Sequence, residues 1–245
     1  MTMPSVNLTA IESDLTEFYN LMDGRVHCVV WENCLSSREK TLRQRLKEEL
    51  VLHLFDLLLT NPDFEQSFVT DVDFCLRLAR TSLGQPLLIA GERAAACVSF
   101  SYTYRDLWGA ISEHAWLCGV DAALAEDFDS SFPKAKVFSQ EELGAGALVE
   151  KDRRSLTALL WSAKESVVKA AGCGFHLITP LDVKLDLVSH TLGMVLFEVS
   201  LPKLWKYPDF VFPGGFFHVL SFVHGDAWIS VALCKNTRPS VSLNP

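Results

Sequence analysis

The side chains best suited to chemistry fall on one predicted helix, between Arg154 and Ala171. Trp161, Glu165 and Lys169 follow one another at intervals of four residues, so they share one face of that helix, one turn apart. A carboxylate and an ammonium group are residue types that move protons and bind ions. Spacing alone, however, is more typical of a surface Glu–Lys pair, worth ~0.3–0.5 kcal/mol, beside a half-buried tryptophan.

The sequence around these residues is a more specific indication of function than their spacing. Segment 161–169 reads W-S-A-K-E-S-V-V-K, and segment 119–121, roughly forty residues earlier, reads G-V-D. Segments 84–86 and 99–101 read G-Q-P and S-F-S. These segments resemble the W-x-x-K-E-[SA]-x-x-K, G-[IV]-D, G-K-P and S-H-S motifs of 4′-phosphopantetheinyl transferases of the surfactin-synthetase-activating (Sfp-like) type. The resemblance is firm over about residues 84–175 and elsewhere follows only in arrangement.

The resemblance implies a fold and a reaction. The fold would be α+β, with two similar halves in a pseudo-two-fold arrangement, each a helix packed on a mainly antiparallel sheet. Residues 1–117 would form the coenzyme A side, and residues 118–245 would carry the metal and the catalytic helix. The reaction would transfer the 4′-phosphopantetheine arm of coenzyme A to a serine of an apo acyl, peptidyl or aryl carrier protein, releasing 3′,5′-ADP.

The resemblance also assigns roles to individual residues. Asp121 and Glu165 match the metal ligands, with Mg²⁺ as the expected ion and Mn²⁺ as an alternative; Mg²⁺ prefers carboxylate, phosphate and water oxygens. Glu165 can take the proton of the serine hydroxyl, directly or through a water, and Lys169 can neutralise or protonate the departing ADP phosphate. The residues expected to bind coenzyme A are Arg38, Arg43, Arg45, Gln85, Pro86, Ser99, Ser101, Lys164 and Lys169. For the arginines and Lys164, a solvated side chain is an equal alternative.

Two positions depart from the family's pattern. Ala123 stands where many members carry a third acidic ligand, so a water could replace it, or Glu126 or Asp127 could reach the metal. Phe100 stands where the family's histidine approaches the 3′-phosphate of coenzyme A, and phenylalanine donates no hydrogen bond. Neighbouring serines or basic residues would then have to bind that phosphate.

These departures keep a second function open, namely a catalytically weak coenzyme A-binding or carrier-binding module of the same fold. A third alternative is an unrelated α+β protein in which the motifs of the helix and of segment 119–121 coincide by accident. An assay for transfer of the phosphopantetheine arm to an apo carrier protein would distinguish the transferase from both of these alternatives.

The composition of the chain limits the other classes of protein and partner that need to be considered. The 245 residues are 49% hydrophobic and 21% charged, enough to bury a substantial core. Twenty-two basic residues against 30 acidic ones give a net charge of −8, which argues against nucleic acid and anionic membranes as partners. The seven cysteines form no C-x-x-C, and no secretory signal or bilayer-spanning stretch is evident. We therefore expect a monomeric cytoplasmic protein with reduced thiols.

An acidic protein that binds an acidic carrier must concentrate positive charge near its cleft. The clusters available near the motifs are Lys134, Lys136, Lys151, Arg153 and Arg154. They could equally balance the neighbouring acids Glu141, Glu142, Glu150 and Asp152. Docking through the apolar segment of Phe132 and Phe138 is a further alternative.

The elements that must position these residues alternate between helical and strand-like patterns. In the first half, the pattern predicts a strand over 26–31, a helix from Ser36 to about Leu58, and strands over 95–103 and 107–120. A helix or a strand is predicted over 74–80. In the second half it predicts a capping box at Ser139 and Glu142, then the helix of segment 161–169. Strands over 182–188, 194–200, 216–223 and 228–234 follow. Each half thus offers a long helix and several strands, which indicates an α+β fold.

Overall fold

The computed structural model describes residues 7–8, 17–22, 25–32, 34, 40–60, 76–81, 84–91, 93–191, 193–201 and 216–236. Arg38, which is expected to bind coenzyme A, lies outside the described residues.

The first half of the described chain forms an antiparallel sheet and one long helix. Its elements are β1 (Asn7–Leu8), β2 (Glu17–Leu21), β3 (Val26–Trp31), α1 (Lys40–Leu59), β4 (Leu76–Arg80), β5 (Pro86–Ala90), β6 (Arg93–Tyr102) and β7 (Leu107–Glu113). The seven strands pair in the order β1-β2-β3-β7-β6-β5-β4. Helix α1 packs on β7 and β3 at the middle of this sheet.

The second half repeats this plan with a five-stranded antiparallel sheet. Its elements are β8 (Trp116–Leu124), α2 (Gln140–Val149), α3 (Arg153–Ala170), β9 (Lys184–Thr191), β10 (Met194–Ser200), β11 (Phe217–His224) and β12 (Ala227–Lys235). Short 3₁₀ turns occur at Ala125–Asp127, Lys134–Lys136 and Pro180–Asp182. The strands pair in the order β8-β12-β11-β10-β9, and α3 packs on β8, β12 and β11.

The layers are arranged as helix, sheet, sheet, helix. One apolar cluster lies between the two sheets and includes Trp108 and Val120, while Leu54 belongs to a second cluster beneath α1. A third cluster lies beneath α3 and includes Ala163 and Val167. Alternate residues of each central strand point to opposite faces, so each sheet is apolar on both sides. This arrangement confirms the predicted α+β class, with one helix on an antiparallel sheet in each half.

Helix α3 begins and ends where its sequence provides caps. The Asp152 carboxylate accepts hydrogen bonds from the backbone nitrogens of Arg154 and Ser155, satisfying two donors of the first turn. At the other end, the chain turns at Gly172, whose φ is +68°, and the backbone nitrogen of Cys173 donates to the carbonyl of Val168. The predicted capping box of Ser139 and Glu142 is likewise present at the start of α2.

One predicted element is wrong. The apolar run over 107–120 was expected to be a single strand, but it forms β7 and β8, which are separated by a two-residue turn at His114 and Ala115. The turn contains neither glycine nor asparagine, so the usual sequence signal for a tight turn is missing. The segment over 74–80, left open between helix and strand, contains strand β4.

In the part of the chain that the structure describes, no helix is both long and apolar enough to cross a membrane.

Candidate active site

Helix α3 exposes one line of side chains along a cleft between the two halves. Between Leu156 and Ala170, only Trp161, Glu165 and Lys169 are not buried. Their spacing of four residues places them in a row, one turn apart. The predicted face of the helix is therefore the one that remains accessible, while its other faces are in the core.

Helix α3 and strand β8 approach each other closely at Gly119. A Cβ atom at this position would overlap the carbonyl oxygen of Ser166 and lie 2.5 Å from the backbone nitrogen of Ala170. Only glycine allows this contact without movement of the backbone. Because Asp121 lies two residues along β8 on the same face, the contact places its carboxylate against the last turns of α3.

Lys169 joins the two halves through its ammonium group. Its Nζ lies 2.6 Å from Oδ1 of Asp121 and 3.2 Å from the carbonyl oxygen of Val120. It also lies 3.3 Å from the carbonyl oxygen of Phe100 and 3.3 Å from Oγ of Ser101, both on β6. Lys169 is therefore held at the line where β6 of the first sheet meets β8 of the second.

The two carboxylates near Lys169 have raised pKa values. Burial raises the pKa of Asp121, although the Lys169 ammonium and the Ser101 hydroxyl, which donates to Oδ1 over 2.9 Å, oppose this shift. Burial and the negative charge of Asp121 together raise the pKa of Glu165 to about 7, with Lys169 again opposing. Glu165 and Asp121 thus repel each other electrostatically, which is the situation that a bound cation would relieve.

Ser99 and Ser101 hydrogen-bond to the backbone of the other half. Oγ of Ser99 accepts from the backbone nitrogen of Val120 over 3.0 Å, and Oγ of Ser101 accepts from that of Ala122 over 3.1 Å. Both serines are buried. Two residues predicted to bind coenzyme A therefore attach β6 to β8 and form the floor beside Lys169.

A cavity of about 220 Å³ opens beside Lys169, between the halves. The residues that line it are Lys47, Arg80, Gly84, Gln85, Pro86, Ser99, Phe100, Lys169, Gly172 and Cys173. Four of them were predicted to bind coenzyme A, namely Gln85, Pro86, Ser99 and Lys169. The cavity thus brings together residues that lie up to 89 positions apart in the sequence, from Gly84 to Cys173.

Gln85 uses its side chain to complete the end of α3. Its Nε2 donates to the carbonyl of Ala170 over 3.1 Å and to that of Lys169 over 3.4 Å. These carbonyls belong to the last turn of the helix, where the carbonyl of Lys169 also accepts from the backbone nitrogen of Gly172 over 3.0 Å. A Cβ atom at Gly172 would overlap Oε1 of Gln85, so glycine is needed there for space as well as for its φ. Gln85 therefore bonds the first half to the turn that carries Lys169.

Basic side chains from α1 and β4 surround the cavity. Lys47 and Arg80 line it, and neither was predicted to bind coenzyme A. Burial and the positive charges of Arg80, Lys169 and Arg43 lower the pKa of Lys47. Its Nζ lies 5.3 Å from the ring centroid of Phe100, within range of a cation–π contact. The spacing of four between Arg43 and Lys47 places both on one face of α1 and could have identified Lys47.

The two predicted arginines of α1 that the structure describes occupy different positions. Arg43 belongs to the basic group, where its guanidinium lies 5.3 Å from the ring centroid of Tyr102 and its buried Nε has no hydrogen-bond partner. Arg45 lies on the exposed side of α1, where its Nε is 2.7 Å from Glu49. Of these two arginines, Arg43 is the one that lies near the cavity.

Lys164 lies on a different face of α3 from Lys169. It is fully buried, and its Nζ donates to the carbonyls of Val137 and Pro180 over 3.0 and 2.8 Å. Both carboxylate oxygens of Glu142 lie 2.9 Å from Nζ. These acceptors use all three N–H donors of the ammonium group. In this structure, Lys164 holds α2 and the chain around Pro180 against α3.

Two side chains, Asp121 and Glu165, are the candidate metal ligands. Within the described ranges, no group of three or more His, Cys, Asp or Glu side chains is close enough to hold a metal ion. Ala123 is buried against α3, and Glu126 and Asp127 are exposed in the following 3₁₀ turn. Two carboxylates of raised pKa, Asp121 and Glu165, fit a Mg²⁺ ion that takes its other ligands from water and phosphate.

Part of the chain is similar to a known protein family. A search of curated proteins finds no match for the chain. A scan of family models matches residues 117–206, a segment that includes Asp121, Glu165 and Lys169. This segment is similar to the ACPS model, which describes the 4′-phosphopantetheinyl transferase superfamily.

Proposed function

We propose that the protein transfers the 4′-phosphopantetheine arm of coenzyme A to a serine of an apo carrier protein, in the manner of the Sfp-like transferases. The observation that carries this proposal is the meeting of Asp121, Glu165 and Lys169 beside a cavity lined by basic side chains. All three residues lie in the segment similar to the superfamily. They are also the residues that the motifs of the sequence assign to metal binding and catalysis.

Coenzyme A would occupy the cavity between the halves. Its phosphates are anionic, and Lys47, Arg80 and Lys169 supply the positive charge around the cavity. Phe100 donates no hydrogen bond, but Lys47 lies over its ring and can meet a phosphate at that position. The buried Nε of Arg43 offers a further donor near the same group of cations. This assignment gives residues 1–117 the larger part of the coenzyme site, with residues 118–245 providing the catalytic helix.

Asp121 and Glu165 would hold the Mg²⁺ ion. When bound, Mg²⁺ neutralises charge on the pyrophosphate and so assists departure of the ADP portion. Lys169 already stabilises the Asp121 carboxylate in its ionised form, which is the form that binds a cation. Asp121 and Glu165 therefore suit a Mg²⁺ ion. A water molecule would take the ligand position that Ala123 cannot fill.

The proton of the acceptor serine would pass to Glu165. Burial raises the pKa of Glu165 to about 7 in the metal-free protein, and a bound Mg²⁺ would lower this pKa, so Glu165 would be ionised and able to accept a proton at neutral pH. The serine oxygen then forms a bond to the phosphorus that bears the pantetheine arm, and the bond from that phosphorus to the oxygen of 3′,5′-ADP breaks. Lys169, one turn along α3, would neutralise the negative charge on the departing phosphate.

One experiment tests the proposal directly. Purified protein is mixed with coenzyme A, Mg²⁺ and an apo acyl carrier protein, and the carrier is weighed by mass spectrometry. We expect the carrier to gain the mass of one phosphopantetheine, and 3′,5′-ADP to appear in equal amount. A carrier of unchanged mass, across several carriers and with Mn²⁺ as well as Mg²⁺, would refute the proposal.

The alternative of a catalytically weak binding module is favoured by Ala123 and Phe100, which replace the usual third ligand and the usual histidine. It predicts that coenzyme A binds, as measured by calorimetry, while the mass of the carrier stays unchanged. We also propose that the protein is a cytoplasmic monomer. The seven cysteines of the sequence form no C-x-x-C pair, which fits a location where thiols stay reduced.

A further inference from the structure

Ser101 connects the first half of the protein to the Asp121 carboxylate. Its Oγ donates to Oδ1 of Asp121 over 2.9 Å. The same Oγ accepts from the backbone nitrogen of Ala122 over 3.1 Å and from Nζ of Lys169 over 3.3 Å. A serine hydroxyl has one donor hydrogen and two acceptor lone pairs, so these three contacts use its whole hydrogen-bonding capacity. Ser101 could bind a phosphate only by giving up one of them.

The position of Ser101 also favours contact with the carboxylate over contact with the coenzyme. Of the described residues of this segment, Ser99 and Phe100 line the cavity beside Lys169, whereas Ser101 does not. Ser101 is 5% exposed and Asp121 is 7% exposed, so little water reaches the hydrogen bond between them. A hydrogen bond to an ionised carboxylate is strong, and the lack of competing water strengthens it further. The hydroxyl of Ser101 therefore restrains the Asp121 carboxylate firmly.

Ser99 offers a comparison on the same face of β6. In the described sheet, β8 lies at the edge and pairs with β12 on one side, so alternate backbone groups of β8 face away from this pairing. Oγ of Ser99 accepts from the backbone nitrogen of Val120 over 3.0 Å, just as Oγ of Ser101 accepts from that of Ala122. Both serines thus satisfy donors of β8. Of the two, Ser101 is the one whose hydroxyl donates to Asp121.

Lys169 contacts the same carboxylate oxygen, but it has a second task in the proposed reaction. Its Nζ lies 2.6 Å from Oδ1 of Asp121 and has four acceptors for its three N–H donors. To neutralise the departing phosphate, the ammonium group would have to turn at least one donor away from these acceptors. Ser101 has no such second task. Its hydroxyl would therefore keep Oδ1 in place while Lys169 meets the phosphate.

We propose that Ser101 is a positioning residue for the metal site, whose hydroxyl holds the Asp121 carboxylate in the orientation that binds the divalent cation, and that it is not a ligand of coenzyme A. This proposal rests on the proposed function, because it takes Asp121 as a Mg²⁺ ligand. Hydrogen-bond partners of a ligating carboxylate fix its orientation, and their loss lowers metal affinity by about 10- to 100-fold. A residue of the first half would thus control a ligand that the second half carries.

The test measures the affinity of the purified protein for Mn²⁺ alone, from the electron paramagnetic resonance signal of the free ion. Ser101→Ala should weaken Mn²⁺ binding about tenfold or more and leave KM for coenzyme A unchanged at saturating Mg²⁺. Ser101→Thr keeps the hydroxyl and should restore most of the affinity for Mn²⁺. The matched control is Ser99→Ala, which removes the same kind of contact between β6 and β8 and should bind Mn²⁺ as the wild type does.

Three other results would overturn the proposal. Equal losses of Mn²⁺ affinity in Ser99→Ala and Ser101→Ala would show that both serines only hold β6 against β8. A higher KM for coenzyme A in Ser101→Ala, with Mn²⁺ affinity unchanged, would make Ser101 a coenzyme ligand. A wild-type protein that binds no Mn²⁺ would leave Asp121 with no ion to hold.

The design separates this proposal from the proposed function. If the wild type transfers the phosphopantetheine arm but Ser101→Ala binds Mn²⁺ as well as the wild type does, only the role of Ser101 is refuted. If the wild type transfers nothing, the proposed function is refuted, and the Mn²⁺ affinities still test Ser101. Should Ser101→Ala fail to fold, Ser101→Cys takes its place. A thiol is a weak donor, so Ser101→Cys should bind Mn²⁺ less tightly than Ser99→Cys.

Discussion

Nζ of Lys169 lies 2.6 Å from Oδ1 of Asp121, and these two residues come from different elements, 48 positions apart in the chain. The contact depends on the close approach of α3 to β8 at Gly119. It keeps the Asp121 carboxylate beside Glu165, so that two acidic groups and one basic group share a small, partly buried space.

Removing either carboxylate should nearly abolish transfer. We expect Asp121→Ala and Glu165→Ala each to lower the rate by about 100-fold or more, because each removes one of the two proposed protein ligands for Mg²⁺. EDTA should have the same effect on the wild-type protein, and added Mg²⁺ should reverse it. Rates come from mass spectrometry of the carrier, with circular dichroism to show that the variants fold. Retention of most of the activity by either variant contradicts the metal assignment.

The stability of the metal-free protein should depend on the charge of Glu165. Its pKa is raised from 4.5 to about 7, so the folded protein binds this proton more tightly than the unfolded chain does. The protonated Glu165 therefore contributes its full stabilisation of the folded state below about pH 4.5. This contribution is lost as the pH rises through about 7. Glu165→Gln should therefore match the wild type at pH 4.5 and exceed it at pH 8, by up to ~3 kcal/mol.

Unfolding in urea with EDTA present, at several pH values, measures this difference in free energy. When Mg²⁺ replaces EDTA at pH 8, it should stabilise the wild type more than Glu165→Gln. The difference in free energy of unfolding between the two proteins should then become smaller. A gap that is constant from pH 4.5 to pH 8 would show that Glu165 titrates normally.

Lys164 should matter for folding more than for coenzyme binding. Replacement by methionine leaves the Glu142 carboxylate buried without its cation, which costs about 3–5 kcal/mol of unfolding free energy. The double variant Lys164→Met/Glu142→Leu should recover part of this loss. Lys136→Met, at an exposed position, is the control and should unfold like the wild type. A stable Lys164→Met protein with weakened coenzyme A binding would instead support a phosphate contact.

Glu126 and Asp127 should not be metal ligands. Both are exposed in the 3₁₀ turn after β8, and Mg²⁺ readily keeps water in place of a protein ligand. Glu126→Ala and Asp127→Ala should each stay within about twofold of the wild-type rate, and the Mg²⁺ concentration for half-maximal activity should not move. A shift of that concentration in Glu126→Ala would show that the loop supplies the ligand missing at Ala123.

Lys47 and Arg80 should bind the phosphates of coenzyme A. Replacing either by alanine should raise KM for coenzyme A about tenfold, with kcat changed much less, because each removes a cation from the cavity wall. Arg45→Ala is the matched control, since Arg45 pairs with Glu49 on the exposed side of α1. Equal effects of Arg45→Ala and Lys47→Ala would point to a long-range effect of charge rather than to a phosphate contact.

Local patterns in the sequence predicted the local features of the site. The spacing of Trp161, Glu165 and Lys169 indicated one face of a helix, and that face is the accessible one. The boundaries of β3 and β10 were predicted to the residue, because both are bounded runs of strand-forming residues. The turn between β7 and β8, where the chain passes from one sheet to the other, was missed because the apolar pattern continues through a turn that contains neither glycine nor asparagine.

Features that depend on contacts between distant residues could not be predicted in the same way. Gln85 was expected to contact coenzyme A, yet its amide bonds to Ala170, 85 residues away. The burial of Lys164 depends on Glu142, Val137 and Pro180, none of which is on α3. Spacing along a helix shows which residues share a face, but the neighbouring element decides whether that face is buried.

The hydrogen bonds from Gln85 to the end of α3 have a consequence for how the chain folds. The carbonyl of Ala170, at the end of α3, accepts its hydrogen bond from Gln85 only when the first sheet is in place, and the apolar layer between the sheets contains residues of both halves. We therefore expect the two halves to unfold together in a single cooperative transition. A fragment cut at the boundary between β7 and β8 would expose that layer and leave the carbonyl of Ala170 without its donor, Gln85. Similar as they are in plan, the halves are interdependent parts of one folding unit.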